Sequence, residues 1–241
     1  MEKNRYITYN EELFSKLQSI GFSRKRGNSY VKTKRVIKYE LSFSHSTHNE
    51  PHVKYYTITL SIEYQKVQEI VDKMNVVIGG FGINLGYLLP EFSFKEWKVT
   101  ETSSDEYISF VVGDMYTNIV NFAIPYFERY SEIRNVIEDI EKGVLKNQID
   151  SSHYLPILYL LNGDKDLVVP YLQKELNRRE YLKNKVCGDD YPFPLFNNVK
   201  DCSTPESRIY NEYKSFVDKI MRYMSECGFE IGSRGRFSDQ G

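Results

Sequence analysis

The hydrophobic patterning of the chain predicts an α+β fold: an N-terminal helix and an antiparallel β-sheet, followed by a helical C-terminal half. Three observations carry this. Strict period-2 alternation is confined to the first hundred residues. From about Asp114 onward the apolar residues recur at helical spacing instead. No internal repeat or linker interrupts the order of strands first and helices second. The expected division is a sheet region over 1–104 and a helical region over 105–241 packed on it as one compact unit. The tail over 229–241 is expected to be loose.

The elements follow in order. In "YNEELFSKLQSIGF", Leu13, Phe14, Leu17 and Ile20 fall on one helical face, and Gly21 ends the helix as a C-cap glycine. "GNSYVK" reads as a turn into a strand. "RVIKYELSFSH" alternates, with Ile37, Tyr39, Leu41 and Phe43 on one side. "YYTITLSIEY" alternates again, with Tyr56, Ile58, Leu60 and Ile62 apolar. Two such runs around a short polar loop predict a hairpin. Val67, Ile70, Val71 and Met74 give "QKVQEIVDKM" one apolar helical face. "NVVIGGFGINLGYLLPEF" predicts a further strand, bent at Gly79–Gly80. "EWKVT" and the loop "TETSSDE" follow.

In the second half, "MYTNIVNFAIPYFERY" predicts a helix interrupted near Pro125. "SEIRNVIEDIEKG" predicts a short helix with Ser131 as N-cap and an acidic first turn, closed by Gly143. Two helices joined by "NGDKD" come next, then a Pro/Asn/Asp-rich loop, "CGDDYPFPLFNNVKDC". The last helix has Thr204 as N-cap and Pro205 at its first position. Its apolar face is Ile209, Tyr213, Phe216, Ile220 and Met224, and Gly228 ends it.

Composition narrows the function classes. The formal net charge is -1. Up to Phe110 there are 15 Lys+Arg against 13 Asp+Glu, and beyond it 17 against 20. Neither part has the basic footprint of a polyanion-binding domain. "MEKNRYITYN" lacks the apolar core of a secretory leader. No run reaches the roughly 20 apolar residues of a membrane span. With 3 cysteines, Cys187, Cys202 and Cys227, the expectation is a reduced, cytoplasmic protein with no membrane association. The 20 tyrosines fit a binding surface, but the parallel abundance of Lys, Asn and Ile fits AT-rich coding better.

Two stretches hold candidate functional residues. "SHSTHNEPH" places three of the 4 histidines, His45, His48 and His52, within a single loop region. Strand parity puts His45 and His52 on the apolar side of the hairpin mouth, where they could pair across the strands, and leaves His48 in the loop. A closed zinc site wants about four ligands. Glu50 is the one local carboxylate, and no cysteine is near. Histidines capping a hairpin end therefore outweigh a metal site. "SRKRGNSYVKTKR" gathers Arg24, Lys25, Arg26, Lys32, Lys34 and Arg35 around Tyr30. Such a run can contact nucleic acid, but in a charge-balanced chain it is more often a solvated face or a contact for an acidic protein.

Several chemistries find no signature. "GGFGINLG" lacks both the phosphate-loop ending and the dinucleotide spacing. The acids of "CGDD" would raise the thiol pKa of Cys187 rather than activate it, and His153 is the one histidine in the helical half. Serine-hydrolase and HExxH patterns are absent. No cofactor is expected.

Three segments resemble the DUF4304-type bacterial families. "LFSKLQSIGFSRKRGNSYVK" resembles their opening helix, Gly-Phe, basic turn and aromatic strand start. "GINLGYLLPEF" resembles their Asn-Leu-Gly strand. "IPYFERYSEIRNVIEDIEKG" with "LPILYLLNGDKDLVVPYLQKEL" is similar to their helical part. The resemblance runs loosely from Leu13 to Leu176. It implies no catalytic residues; it implies small cytosolic proteins, some of them similar to immunity proteins that neutralise a toxin by binding it.

The expectation is thus a non-enzymatic protein-binding protein acting by steric blockade, with another protein as its partner. The expected contact residues are Arg24, Lys25, Arg26, Tyr30, Arg35, His48 and Tyr55. One alternative is a metal-assisted hydrolase or nuclease using His45, His48 and His52. Another is a nucleic-acid-binding accessory protein, the less expected partner class.

Overall fold

The computed structural model describes residues 11–25, 28–187 and 204–229. The chain is α+β, as the patterning predicts. Helix α1 (Glu11–Ser19) leads into strands β1 (Ser23–Arg24), β2 (Ser29–Lys34), β3 (Ile37–Ser46) and β4 (Val53–Tyr64). Helix α2 (Gln65–Met74) precedes β5 (Phe81–Asn84), a 3₁₀ turn (Leu85–Leu88) and β6 (Trp97–Thr100). Helices α3 (Asp105–Asn118), α4 (Ile124–Arg129), α5 (Ile133–Glu141), α6 (Ser151–Asn162), α7 (Lys165–Cys187) and α8 (Pro205–Glu226) complete the described chain. Among the described residues, no helix is long and apolar enough to cross a membrane.

The chain divides into two units. One comprises Met1–Gln68 with Gly79–Asp150, and the other Glu69–Ile78 with Ser151–Gly241. The division does not fall at 104/105, where period alone would cut it. Helices α3 to α5 belong with the sheet; Phe127 and Tyr126 of α4 pack on Tyr39 and Phe81.

In the first unit the sheet order is β1-β2-β3-β4-β5, all antiparallel, with β6 pairing β4 beyond the end of β5. Tyr39, Leu41 and Phe43 lie opposite Ile62, Leu60 and Ile58, and all six are buried. The helices cover this face: Tyr30 meets Phe14 of α1, Tyr39 meets Phe127 of α4, and Phe81 meets Tyr126 and Tyr130. The other face carries Lys38, Ser42, Ser44, Thr57, Thr59 and Glu63, which pair across the strands with one another. Period-2 alternation with one covered face is the reason this sheet has a fixed register.

Pro125 relaxes its helix rather than ending it. Proline lacks the N–H that would bond the carbonyl four residues back. The chain widens into a π turn over Ile119–Ala123, and Ile124 N–H reaches Ile119 C=O before α4 continues. Helix α5 starts later than expected, with Glu132 at its cap position and no side-chain cap bond. Ser131 does not cap it; its hydroxyl donates to Glu128 C=O at 2.7 Å. The "NLG" segment leaves the strand at its first residue: Asn84 ends β5, and its Oδ1 accepts from Gly86 N–H at 2.9 Å and starts the 3₁₀ turn. A Cβ on Gly86 would lie 2.2 Å from Ser93 O and 2.4 Å from Lys95 N, so only glycine lets the following loop fold back so closely.

In the second unit Pro156 lies inside α6 and leaves the Ser152 carbonyl without its helical donor. The Tyr213 hydroxyl of α8 fills that vacancy at 3.3 Å. Thr204 Oγ1 accepts from Ser207 N–H at 3.2 Å, and Pro205 occupies the first position, as the sequence predicts. Tyr213, Phe216, Ile220 and Met224 are buried, but Ile209 is 50% exposed, so the apolar face is shorter than its sequence pattern. The "CGDDYPFPLFNNVKDC" loop, apart from its first residue, and nearly all of the expected tail lie outside the described residues.

Candidate functional site at the hairpin mouth

The loop between β3 and β4 is built from two turns. Glu50 N–H bonds Thr47 C=O at 2.7 Å. His48 and Asn49 between them have φ of 44° and 67°, the positive pair that a type I′ hairpin turn demands. Val53 N–H then bonds Glu50 C=O at 3.1 Å around Pro51, and Pro is favoured at that position of a turn. This geometry fixes His48 over the open face of the sheet, beside Tyr55.

Five side chains meet there. The His48 ring packs edge-on against Tyr55 with centroids 4.6 Å apart. His48 Nε2 lies 3.0 Å from Glu96 Oε1. The Tyr55 hydroxyl donates to Glu50 at 2.7 Å. Lys98 sits 5.4 Å above the Tyr55 ring and 3.8 Å from Glu50. The Tyr55 hydroxyl, then the Glu50 carboxylate, hold the Lys98 ammonium above its ordinary range. Tyr55 and Lys98 are register partners on β4 and β6, so the sheet itself sets their spacing. The cluster is half-open: Glu50 is 51% exposed and Lys98 52%. A pre-ordered ring among charges of both signs can anchor a partner.

The three histidines do not converge. His45 faces Tyr56, its register partner, at 5.7 Å between centroids and not His52. His52 precedes β4 and pairs with Glu101 at 2.9 Å. Glu50, the local carboxylate, is engaged by Tyr55 and Lys98. Among the described residues no three His, Cys, Asp or Glu side chains gather as a metal site would require. The expected trio of His45, His48 and His52 is therefore not assembled as a ligand set.

The basic run is dispersed as well. Tyr30 is fully buried between Phe14 and Phe43 and cannot touch a partner. Burial raises its hydroxyl pKa, against the pull of Arg24. Lys25 pairs with Glu40 at 3.6 Å. Lys32 donates to Ile20 C=O at 2.8 Å and covers Phe22. Arg35 sits in the β2–β3 turn with φ of 57°. That turn is at the opposite end of β3 from His48, about 30 Å away at the usual strand rise. Arg26 lies outside the described residues. Of the expected contact residues that are described, His48 and Tyr55 meet at the hairpin mouth, whereas Arg24 on β1 lies in register with the buried Tyr30 on β2.

Sequence reasoning missed Glu96 and Lys98. The alternation in "EWKVT" places both on one face, but nothing local says that β6 lands beside Tyr55. It also missed a cavity of about 590 Å³ in the second unit, lined by His153, Arg179, Tyr213, Phe216 and Lys219 among others. Its basic side chains are engaged by the fold, although Arg179 Nε is buried without a hydrogen-bond partner. Arg179 stacks over Tyr213 at 4.0 Å and donates to Glu175 and Ser152, and Lys219 donates to Asn75 C=O at 2.7 Å. Ser152 Oγ in turn lies 3.1 Å from His153 Nδ1.

Comparison of the chain with protein-family models, with curated proteins and with solved structures finds no match.

Proposed function

We propose that the chain is a non-enzymatic, cytoplasmic protein-binding protein that docks through its hairpin mouth. The observation that carries this reading is the Tyr55-centred cluster of His48, Glu50, Glu96 and Lys98, ordered before any partner arrives. Pre-ordering lowers the entropic cost of association. Its position at the end of a sheet, on a tight turn, suits steric blockade of a partner. The toxin-neutralising form of this reading rests on the resemblance between Leu13 and Leu176 set out above.

The test is capture from the native cell with untagged wild type and with Tyr55→Ala/Lys98→Ala. One stoichiometric partner, lost from the variant while its thermal midpoint is unchanged, is the expected result. A partner retained at wild-type affinity by the folded variant rejects the hairpin mouth as the contact.

A further inference from the structure

The stretch from Tyr87 to Asp114 shows more apolar ring surface than a stable monomer needs. Phe92 is 74% exposed, Phe110 69%, Phe94 55%, Tyr107 42% and Tyr87 39%. The rings are held, not loose. Tyr87 packs edge-on against Phe92 at 5.9 Å. Phe92 N–H bonds Leu89 C=O at 2.9 Å, and Phe92 itself has φ of 45°. A bulky residue there is a backbone outlier. The close approach of Gly86 to Ser93 and Lys95 fixes the chain around Phe94.

Helix α3 brings the other two rings alongside β6. Tyr107 donates from its hydroxyl to Lys98 C=O at 3.0 Å, and one helical face continues through Phe110 to Asp114. Asp114 accepts from Trp97 Nε1 at 2.6 Å and lies 3.9 Å from Lys95. The same stretch carries six carboxylates against two lysines. Lys95 and Lys98 already face Asp114 and Glu50, so the excess charge is negative.

We infer that this acidic, aromatic surface docks the cationic surface of a partner protein, one that presents arginines around an apolar centre. Charge complementarity selects the partner. Exposed rings offer faces to guanidinium groups and a desolvated centre for aliphatic side chains. Anionic membranes and nucleic acids are repelled by the same carboxylates. The inference rests on the hairpin-mouth reading and adds to it a second patch reached around the β6 strand, where Lys98 faces one side and Trp97, bonded to α3, the other.

The probe is a soluble peptide of alternating arginine and leucine, compared with the same peptide carrying glutamate for arginine. Trp97, the only tryptophan, lies beneath this surface and reports binding by its fluorescence, with calorimetry alongside. The arginine peptide is expected to bind and the glutamate peptide not. Phe92→Ser/Phe94→Ser is expected to weaken binding about tenfold or more, and Glu91→Lys/Glu106→Lys to weaken it and flatten its salt dependence. All four positions are exposed, so the variants keep the core. Equal binding of both peptides, no binding of the arginine peptide, or indifference to both variants overturns the inference. So does a wild-type dimer that the phenylalanine variant abolishes, because the occupant is then a second copy. Tyr55→Ala/Lys98→Ala serves as the cross-check. Peptide binding that fails while that variant still loses its cellular partner rejects the charge argument and leaves the hairpin mouth standing.

Discussion

Two side-chain triads of the first unit each join a tyrosine, a carboxylate and a half-exposed cation, but one carboxylate is buried and the other is not. In one, Tyr130 donates to Asp139 at 2.8 Å, Arg129 binds that carboxylate through two nitrogens at 2.9 Å, and the guanidinium sits 5.8 Å from the Tyr130 ring. In the other, Tyr55 donates to Glu50 at 2.7 Å, Lys98 approaches that carboxylate at 3.8 Å, and the ammonium sits 5.4 Å from the Tyr55 ring. The Asp139 side chain is 5% exposed and the Glu50 side chain 51%. Burial turns the first triad into a fixture of the fold, because an unpaired buried carboxylate is costly. Water leaves the second nearly neutral for stability, because exposed ion pairs contribute little. The hairpin mouth therefore adds little to the stability of the fold.

The sharpest way to break the comparison is to strip one partner from each triad. Arg129→Ala leaves Asp139 with one neutral donor and, since the guanidinium it loses is half exposed, is expected to cost about 2 kcal/mol in urea unfolding. Lys98→Ala is expected to stay within about 0.5 kcal/mol. Equal losses would mean that burial does not separate the two. Alkaline unfolding comes next in size. Burial, then the Asp139 carboxylate, push the Tyr130 hydroxyl up to about 12 from its ordinary 10.0. A group whose pKa is higher in the folded chain contributes stability that is full below the unfolded value and falls as pH rises toward the folded one. Stability is thus expected to fall between about pH 10 and 12, by about 2 kcal/mol from Tyr130. Burial also raises Tyr126, so Tyr130→Phe is expected to shrink the fall without removing it.

This contrast also marks what was legible in the sequence. The hairpin was, because Ile37 to Phe43 and Tyr56 to Ile62 alternate strictly and one covered face fixes the register. His48 and Tyr55 were, because they are near neighbours along the chain. Glu96 and Lys98 were not, since they reach Tyr55 only through the pairing of β6 with β4, a long-range contact with no local signature. Tyr30 misled for a different reason. Its strand mates on the same face are Lys32, which covers Phe22, and the exposed Lys34, so alternation there looks polar. The units do not divide at 104/105, because period reports local structure, whereas membership of a unit is decided by long-range contacts. Ser131 had the right chemistry for a cap, but the chain turned one residue later.

The smallest expected effect sharpens the comparison most. His48 holds φ of 44° in the hairpin turn, a conformation that costs a residue with a Cβ about 1 kcal/mol and glycine almost nothing. His48→Gly should therefore relieve the turn, even though glycine is freer when unfolded. It also removes the ring that packs on Tyr55 and meets Glu96, contacts that are exposed and weak. The net expectation is a gain of about 0.5 kcal/mol in urea unfolding. If the hairpin mouth is a binding surface, the same variant must bind its partner less well, because the ring is part of the contact. A chain that becomes more stable and binds more weakly carries its strain for the partner. One that becomes more stable and binds equally well carries His48 for nothing outside the turn, and the anchor is then Tyr55 with Lys98 alone.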